Sequence, residues 1–456
     1  MYRITIVGTG YVGLVTGLCF AETGNEVICV DIDAEKIQRL QQGQEPPFYE
    51  PGVEALLREN IRKRHIHFTT ELSEAIQRSE IIMLCLPTPP NEDGSADVHH
   101  LFDVAQQVVS IFRQTPPPDR RLIVTKSTVP PGTTRQLAEF FQQELPEVSI
   151  VVAHNPEFLS EGSAVENFMK PERVIIGTRN SWAIKVLREL YEPFVRTGNP
   201  IYVMDETSAE LTKYAANAFL ALRISFMNEL SAYCEAIGAD IEQVRLGIGS
   251  DSRIGKRYLF PGLGYGGSCL PKDVRALTRA AQQTGVTLQI IPAAERVNAA
   301  QIQRFIQKIR NRFTGQLADM DFALWGAAFK PNTDDIREAP ALRIIEALLS
   351  SGARIRVYDP RALPNLRGRY AEKLIYATSP YECAEGADAI IIATEWAEFR
   401  NPDFAYLRQI LRQAIIFDGR NLFAPDEMQQ RGFEYHSVGR ASVYPVPDLR
   451  ADENVR

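Results

Sequence analysis

Cysteine is scarce in this chain. Its six residues (Cys19, Cys29, Cys85, Cys234, Cys269 and Cys383) lie far apart in 456 positions, with no close pair and no metal-ligand spacing. That excludes a disulfide-stapled secreted scaffold, gives no reason to expect a metal, and indicates a reducing cytoplasmic compartment in which any special cysteine acts alone. Basic charge is not in excess either. Lys and Arg number 50 against 57 Asp and Glu, a net charge of −7. This balance favours solubility and provides no broad basic footprint for nucleic acid or an anionic membrane, although a local basic pocket for a small phosphate ligand stays open. Glycine and proline supply 57 residues, too few for a low-complexity chain. A long unbroken apolar run is also missing. Ile4 to Ala21 carries no charge, but Gly8, Gly10, Gly13 and Gly17 interrupt it and Asp31 ends the apolar stretch that follows. A strand, turn and helix accounts for this better than a signal peptide or anchor, so no targeting segment is expected.

What is present is a globular composition, 45% apolar and 23% charged, at a length that allows roughly three domains at about 150 residues each. Tyr2–Val7 is a β-branched run, Tyr11–Glu22 suits a helix, and Glu26–Val30 is apolar again before Asp31. Further apolar runs at Glu80–Leu86, Arg121–Thr125, Val148–Val152 and Arg173–Gly177 alternate with helical stretches, which predicts a mostly parallel sheet covered by helices. The middle differs. From Ser208 to about Ile237 a proline-free pattern predicts one long helix, opened by a capping box at Thr207–Glu210 and stopped by Gly238. A glycine-rich loop, 261–269, and helices to about Arg312 follow. The last third repeats the first: strands at Phe322–Ala327, Arg354–Tyr358, Ala389–Ala393 and Ala414–Phe417, with a helix at Ala339–Ser351. Glu26–Asp31 answers to Arg354–Asp359, and Ile81–Pro87 to Ala389–Glu395. The fold class is therefore α/β, with two Rossmann-like doubly wound parallel sheets joined by a long-helix central region.

Gly8-x-Gly10-x-x-Gly13 follows a strand and opens a helix, the context a dinucleotide fingerprint needs. Glycines there allow a tight turn and close approach of backbone to pyrophosphate, and the helix N-terminus faces the anion. Asp31, 23 residues beyond Gly8 at a strand end, can accept from ribose hydroxyls and would repel a 2′-phosphate, which favours NAD over NADP. The fingerprint is missing from the second copy, so only the first sheet is built for a dinucleotide. Cys269 ends the glycine-rich loop two residues before Pro271, a favoured first helical position. The positive end of a helix lowers a thiol's pKa, so Cys269 reads as a nucleophile while the other five read as packing residues. Lys272 and Asp273 follow it at once. Lys213 and Asn217, four apart, share one face of the long helix and could hold a reacting oxyanion, though spacing alone favours a solvated helix flank. Polar groups at strand ends are further candidates, because ligands bind at the carboxyl edge of such sheets. These are Thr88, Lys126–Thr128, His154–Glu161, Lys330, Arg337 and Arg420. Turn chemistry and ordinary surface ion pairs are their simpler explanations.

Five segments in order make the chain resemble the UDP-glucose/GDP-mannose dehydrogenase family from Tyr2 to about Gly439: Gly8–Leu14, Lys126–Pro130, Asn155–Gly162, Gly264–Asp273 and Phe329–Asp335. The resemblance implies an NAD-dependent four-electron oxidation of UDP-glucose to UDP-glucuronate. Cys269 would trap the intermediate aldehyde as a thiohemiacetal and then carry a thioester. Lys213 and Asn217 would steady the oxyanion, while Asp273, Thr128 and Glu157 order or activate water, with the general base among them left open. NAD contacts would fall on Gly8, Gly10, Val12, Gly13, Asp31, Lys36, Thr88, Thr128, Glu161, Lys272 and Arg337. Sugar-nucleotide contacts would fall on Glu157, Phe158, Leu159, Ser160, Glu161, Lys213, Asn217, Tyr258, Leu259, Phe260, Pro261, Gly262, Gly266, Lys330 and Arg420. Arg253 would reach a neighbouring subunit's site, and the long helix would form the core of a homodimer or higher homo-oligomer. Residues 1–200 would bind NAD, 201–312 form the helical dimerisation region, 313–445 bind the UDP-sugar, and 446–456 form a tail. Leu270 stands where an aromatic is common and Phe260 where a polar residue is frequent. GDP-mannose or a UDP-N-acetylhexosamine is the alternative substrate. More distant alternatives are a two-electron hydroxyacid dehydrogenase and a silent sugar-nucleotide binder.

Overall fold

Arg3–Val7 is β1, and the tightly packed helix Tyr11–Glu22 leads from it to β2, Glu26–Val30. The computed structural model describes residues 1–196 and 198–445, so the expected tail at 446–456 lies outside the described residues. The first sheet continues with β3 (Ile66–Thr69), β4 (Ile81–Leu84), β5 (Arg121–Thr125), β6 (Ile150–His154), β7 (Val174–Gly177) and β8 (Ile201–Met204). Their order is β3-β2-β1-β4-β5-β6-β7-β8. The first six run parallel, β7 meets β6 antiparallel, and β8 is parallel to β7. Strands β4 and β5 are buried along their whole length. A central parallel strand has helices on both faces, which is why these segments read as unbroken apolar runs. One face packs on Leu14, Leu18 and Phe20, and the other on Leu101, Val108, Phe112 and Leu137.

The second sheet comprises β9 (Asp321–Trp325), β10 (Arg354–Tyr358), β11 (Ile375–Tyr376), β12 (Ala389–Ile392), β13 (Ile415–Asp418) and β14 (Glu434–His436). Its order, β11-β10-β9-β12-β13-β14, is that of the first six strands of the first sheet, and every pairing is parallel. Trp325, Phe322, Phe399, Phe417 and Phe433 fill its core.

The predicted long helix is there, Glu206–Ile237, and Gly238 follows it in left-handed backbone. Its start differs from the expected capping box. Asp205, two residues before Thr207, accepts the Ser208 N–H at 2.9 Å and its hydroxyl at 2.8 Å, so it takes the capping role. The chain divides into two compact units, Met1–Asn217 with Arg275–Thr287, and Ala218–Val274 with the chain from Leu288 onward.

Candidate active site

In the first unit, the turn after β1 is built around close backbone contact. Gly8 has φ +96°, and a Cβ there would lie 2.6 Å from the Cys85 carbonyl oxygen. A Cβ on Gly13 would lie 1.8 Å from the Gly8 carbonyl oxygen, so only glycine lets the helix start this tightly. Gly10 stands at the cap position, with no side-chain cap and no acidic residue in the first turn, and a Cβ on it would meet no protein atom within 4 Å. Open space beside uncapped amides at a helix N-terminus fits a pyrophosphate. Val12, half-buried, borders this turn. Asp31 accepts the Thr9 N–H (2.8 Å) and hydroxyl (2.7 Å), and its partner Lys36 lies at 2.8 Å. Burial would raise the Asp31 pKa, but Lys36 and the Thr9 and Asp33 donors outweigh it and hold the carboxyl below its usual range.

At the carboxyl edge of the same sheet, Thr88 donates its hydroxyl to the Thr128 carbonyl at 3.0 Å, which ties the loops after β4 and β5 together. Glu157 and Lys213 form a 2.9 Å ion pair, and both are buried. The Lys213 ammonium also stands 5.3 Å from the Phe158 ring centre, and the Arg173 guanidinium lies 3.6 Å from it. The solvated-flank reading of Lys213 and Asn217 is thereby overturned, since both residues are buried. Desolvation pushes Glu157 towards the neutral acid, yet the Lys213 charge, its hydrogen bond and the Leu159 N–H more than offset this and leave the pKa lowered. Lys126 adds positive field from behind. Its buried ammonium bonds Asn155 Oδ1 at 3.0 Å and the Tyr191 hydroxyl at 3.2 Å, and burial pushes its pKa down to about 8. The Ser160 N–H is taken by Asn167 Oδ1 at 2.9 Å, and Glu161 follows half-buried.

The second unit holds the glycine-rich loop. Gly262 N–H donates to Asn228 Oδ1 at 2.8 Å, and its carbonyl accepts from Gln301 at 2.7 Å. The Asn298 amide side chain closes on both sides of Tyr265, accepting its N–H at 2.8 Å and donating to its carbonyl at 3.1 Å. A Cβ on Gly262 would meet the Gly419 carbonyl oxygen at 2.9 Å and Arg420 at 3.6 Å, so this part of the loop lies on the end of β13. A Cβ on Gly266 would lie 2.3 Å from the Glu338 carbonyl oxygen, and Gly267 N–H bonds the Arg337 carbonyl at 2.9 Å. Arg420 donates to the Ala393 and Phe329 carbonyls and pairs with Glu395 at 3.2 Å. The Lys330 ammonium stands 5.3 Å from the Phe329 ring centre.

Cys269 caps the helix Leu270–Gln283, and its carbonyl accepts the Asp273 N–H at 2.9 Å. None of the six cysteines forms a disulfide, and Cys269 alone is not buried. Burial pushes the thiols of Cys19 and Cys85 up to about 12, which keeps them protonated and unreactive. Ser268 Oγ lies 3.6 Å from the Cys269 sulfur. Lys272 pairs with the buried Asp273 at 2.7 Å. Leu259 is buried and Pro261 closely packed, Tyr258 has φ +59°, and Phe260 is exposed beneath the Arg245 guanidinium. Arg253 stands apart, with its side chain 88% exposed and paired to Asp251. Arg337, 64% exposed, pairs with Asp335.

Glu50 was missed by sequence reasoning. Its buried carboxylate accepts from the Tyr11 hydroxyl, from Gly162 N–H at 2.5 Å and from Ala164 N–H at 2.7 Å, so it joins the dinucleotide turn to the 157–164 segment. Its only local signal is a carboxylate among Pro46, Pro47, Pro51 and Gly52, where turn chemistry is the default explanation.

A dinucleotide turn, an aspartate at the end of β2 and a second sheet of the same order define an NAD-dependent oxidoreductase. The particular kind follows from comparison with known proteins. Models of the UDP-glucose/GDP-mannose dehydrogenase family match in order: the NAD binding domain over residues 2–195, the central domain over 207–300 and the UDP binding domain over 323–425. The chain belongs to that family. It is 46% identical to the UDP-glucose 6-dehydrogenase of Pseudomonas aeruginosa, over 96% of this chain and 97% of that one, and 42% identical to a UDP-glucose 6-dehydrogenase of Bacillus subtilis over 97% and 99%. The solved structure of a UDP-glucose dehydrogenase from Pyrobaculum islandicum matches with a TM-score of 0.89 at 36% identity, covering 97% of this chain and 98% of that one.

Proposed function

We propose that this chain oxidises UDP-glucose to UDP-glucuronate. NAD, when bound, accepts a hydride at each of two oxidations. Lys213 and Asn217 hold the sugar's primary hydroxyl oxygen and steady the negative charge that grows as the first hydride leaves. The Cys269 sulfur then adds to the aldehyde carbon and forms a thiohemiacetal. Loss of the second hydride turns this into a thioester. Water adds to the thioester carbon, the C–S bond breaks, and the acid departs while the thiolate is restored. One water is consumed and two NADH are formed per sugar. Thr128, Glu157 and Asp273 order or activate that water.

The NAD contacts are Gly8, Gly10, Val12, Gly13, Asp31, Lys36, Thr88, Thr128, Glu161, Lys272 and Arg337. The sugar nucleotide is held by 157–161, 258–262, Gly266, Lys330 and Arg420. The single observation that carries this reading is that the one cysteine left partly open caps a helix beside the buried Asp273 and its ion-pair partner Lys272. Residues 1–200, 201–312 and 313–445 serve as NAD-binding, dimerisation and UDP-sugar-binding regions.

A homodimer or larger homo-oligomer is supported by Phe219, Phe226 and Tyr233, exposed seven residues apart along one helix face, and Arg253 then reaches the neighbouring subunit's site. Six cysteines without a disulfide support the cytoplasm, and among the described residues no helix is long and apolar enough to cross a membrane.

The test is stoichiometric. Purified protein given limiting UDP-glucose and excess NAD should yield two NADH per sugar, and Cys269→Ala should release no acid while still binding UDP-glucose. A ratio of one NADH would reject the covalent route. Faster turnover of GDP-mannose or UDP-N-acetylmannosamine in a parallel assay would reassign the substrate.

A further inference from the structure

Glu210 is a buried carboxylate that no step above uses. It lies on the long helix three residues before Lys213 and seven before Asn217, so the three share one face. Its exposure is 1%. One carboxylate oxygen accepts the Gly132 N–H at 2.5 Å and the other accepts the Thr134 N–H at 2.7 Å. These amides open the helix Thr133–Glu144, which has no cap of its own. Gly132 precedes it without a side chain, and its first turn holds no acidic residue. Glu210 therefore supplies, from a distant segment, both the acceptor and the negative charge that a helix start requires.

Only Val129, Pro130 and Pro131 separate Gly132 from Thr128. Proline fixes its own φ and restricts the residue before it. Val129 is fully buried, and Thr133 bonds the Pro130 carbonyl through its N–H at 3.1 Å and its hydroxyl at 2.7 Å. At the other end, Thr88 grips the Thr128 carbonyl. The segment is a stiff spacer clamped at both ends.

We infer that Glu210 is a positioning residue for the oxidation: by holding the Gly132 and Thr134 amides it sets Thr128 against the helix face that carries Lys213 and Asn217. This rests on the role assigned to Thr128 above. A displacement of about 1 Å at a reacting group costs on the order of 100-fold in rate, so the clamp has kinetic weight without touching substrate.

The experiment is a double-mutant cycle on the full-length protein, with kcat, KM for UDP-glucose and NADH affinity measured for Thr128→Ala, Glu210→Gln, Glu210→Ala and the combinations. Glu210→Ala should lower kcat by up to about 100-fold with KM for UDP-glucose little changed, and any loss of NADH affinity should be no larger than that of Thr128→Ala. Glu210→Gln keeps one carbonyl acceptor and should fall between it and the parent. The Thr128→Ala/Glu210→Ala double variant should be no slower than the slower single one. If Glu210→Ala does not fold, Glu210→Gln carries the same cycle. Unchanged kcat in the folded Glu210 variants, or strictly additive losses, overturns the inference alone. A silent Thr128→Ala overturns the reading of Thr128, and the inference falls with it.

Discussion

The six strands of the second sheet follow the order of the first six strands of the first, and both sheets even make the same turn, yet they use it differently. In the first, Gly8 N–H bonds the Val30 carbonyl at 2.8 Å and the Thr9 N–H bonds Asp31 at 2.8 Å. In the second, Gly326 N–H bonds the Tyr358 carbonyl at 2.8 Å and the Ala327 N–H bonds Asp359 at 2.7 Å. The aspartates then diverge. Asp31 keeps part of its surface (11%) and holds an adjustable Lys36. Asp359 is 2% exposed, and it also accepts from the N–H groups of Ala328, Arg361 and Ala362 and from the Trp396 indole. The helix after the turn begins at Tyr11 in the first sheet but only at Pro340 in the second. Strand pattern sets the topology of both. The distance from turn to helix, and the surface left to the aspartate, are what distinguish the two turns.

Asp359→Ala should have the largest effect in breaking this comparison. It strands five donors, four of them on buried residues, and a loss of about 3–5 kcal/mol in urea unfolding is expected. A loss below about 1 kcal/mol would mean Asp359 is not structural. Gly13→Ala comes next. The Cβ has no room against Gly8, so NADH affinity by fluorescence titration should fall about 100-fold, or about 2.7 kcal/mol, while UDP-glucose binding persists. Equal loss of both ligands would erase the division of labour between the sheets. Asp31→Asn should cost about tenfold in NADH affinity with little change in melting temperature, the opposite pattern to Asp359.

The smallest effect separates the sixth strands. His154 ends β6 and His436 ends β14. Burial and the Lys126 charge push His154 down to about 3, whereas His436 is bonded to Glu434 and Ser442. Folded His154 stays neutral while the unfolded chain takes up a proton near pH 6.5. Its contribution is therefore complete above that pH and is lost as pH falls towards 3. His154→Gln should flatten the acid slope, by under about 1 kcal/mol at pH 6. An unchanged slope would point to other groups.

Much of this was legible beforehand, for physical reasons. Tyr11–Glu22, Glu26–Val30, Arg121–Thr125 and Arg354–Tyr358 carry the residue types their elements need locally, and their bounds come out as read. The correspondence of Glu26–Asp31 with Arg354–Asp359 was visible because each is a short strand with β-branched residues that runs into an aspartate. Features set by tertiary contacts were not visible. Glu210 looked like half of a capping box for its own helix but spends its oxygens on Gly132 and Thr134. Spacing could not show that Lys213 and Asn217 are buried, because helix periodicity names a face and not what covers it. Glu50 gave no periodic signal at all.

The contrast among the thiols has a practical consequence. Five sulfurs are shielded by packing and one is not, so a mild alkylating dye should label each chain once without any engineering. The count of bound fluorophores would then measure how many chains in a preparation are competent, and protection by nucleotide sugar would provide a binding assay that needs no turnover.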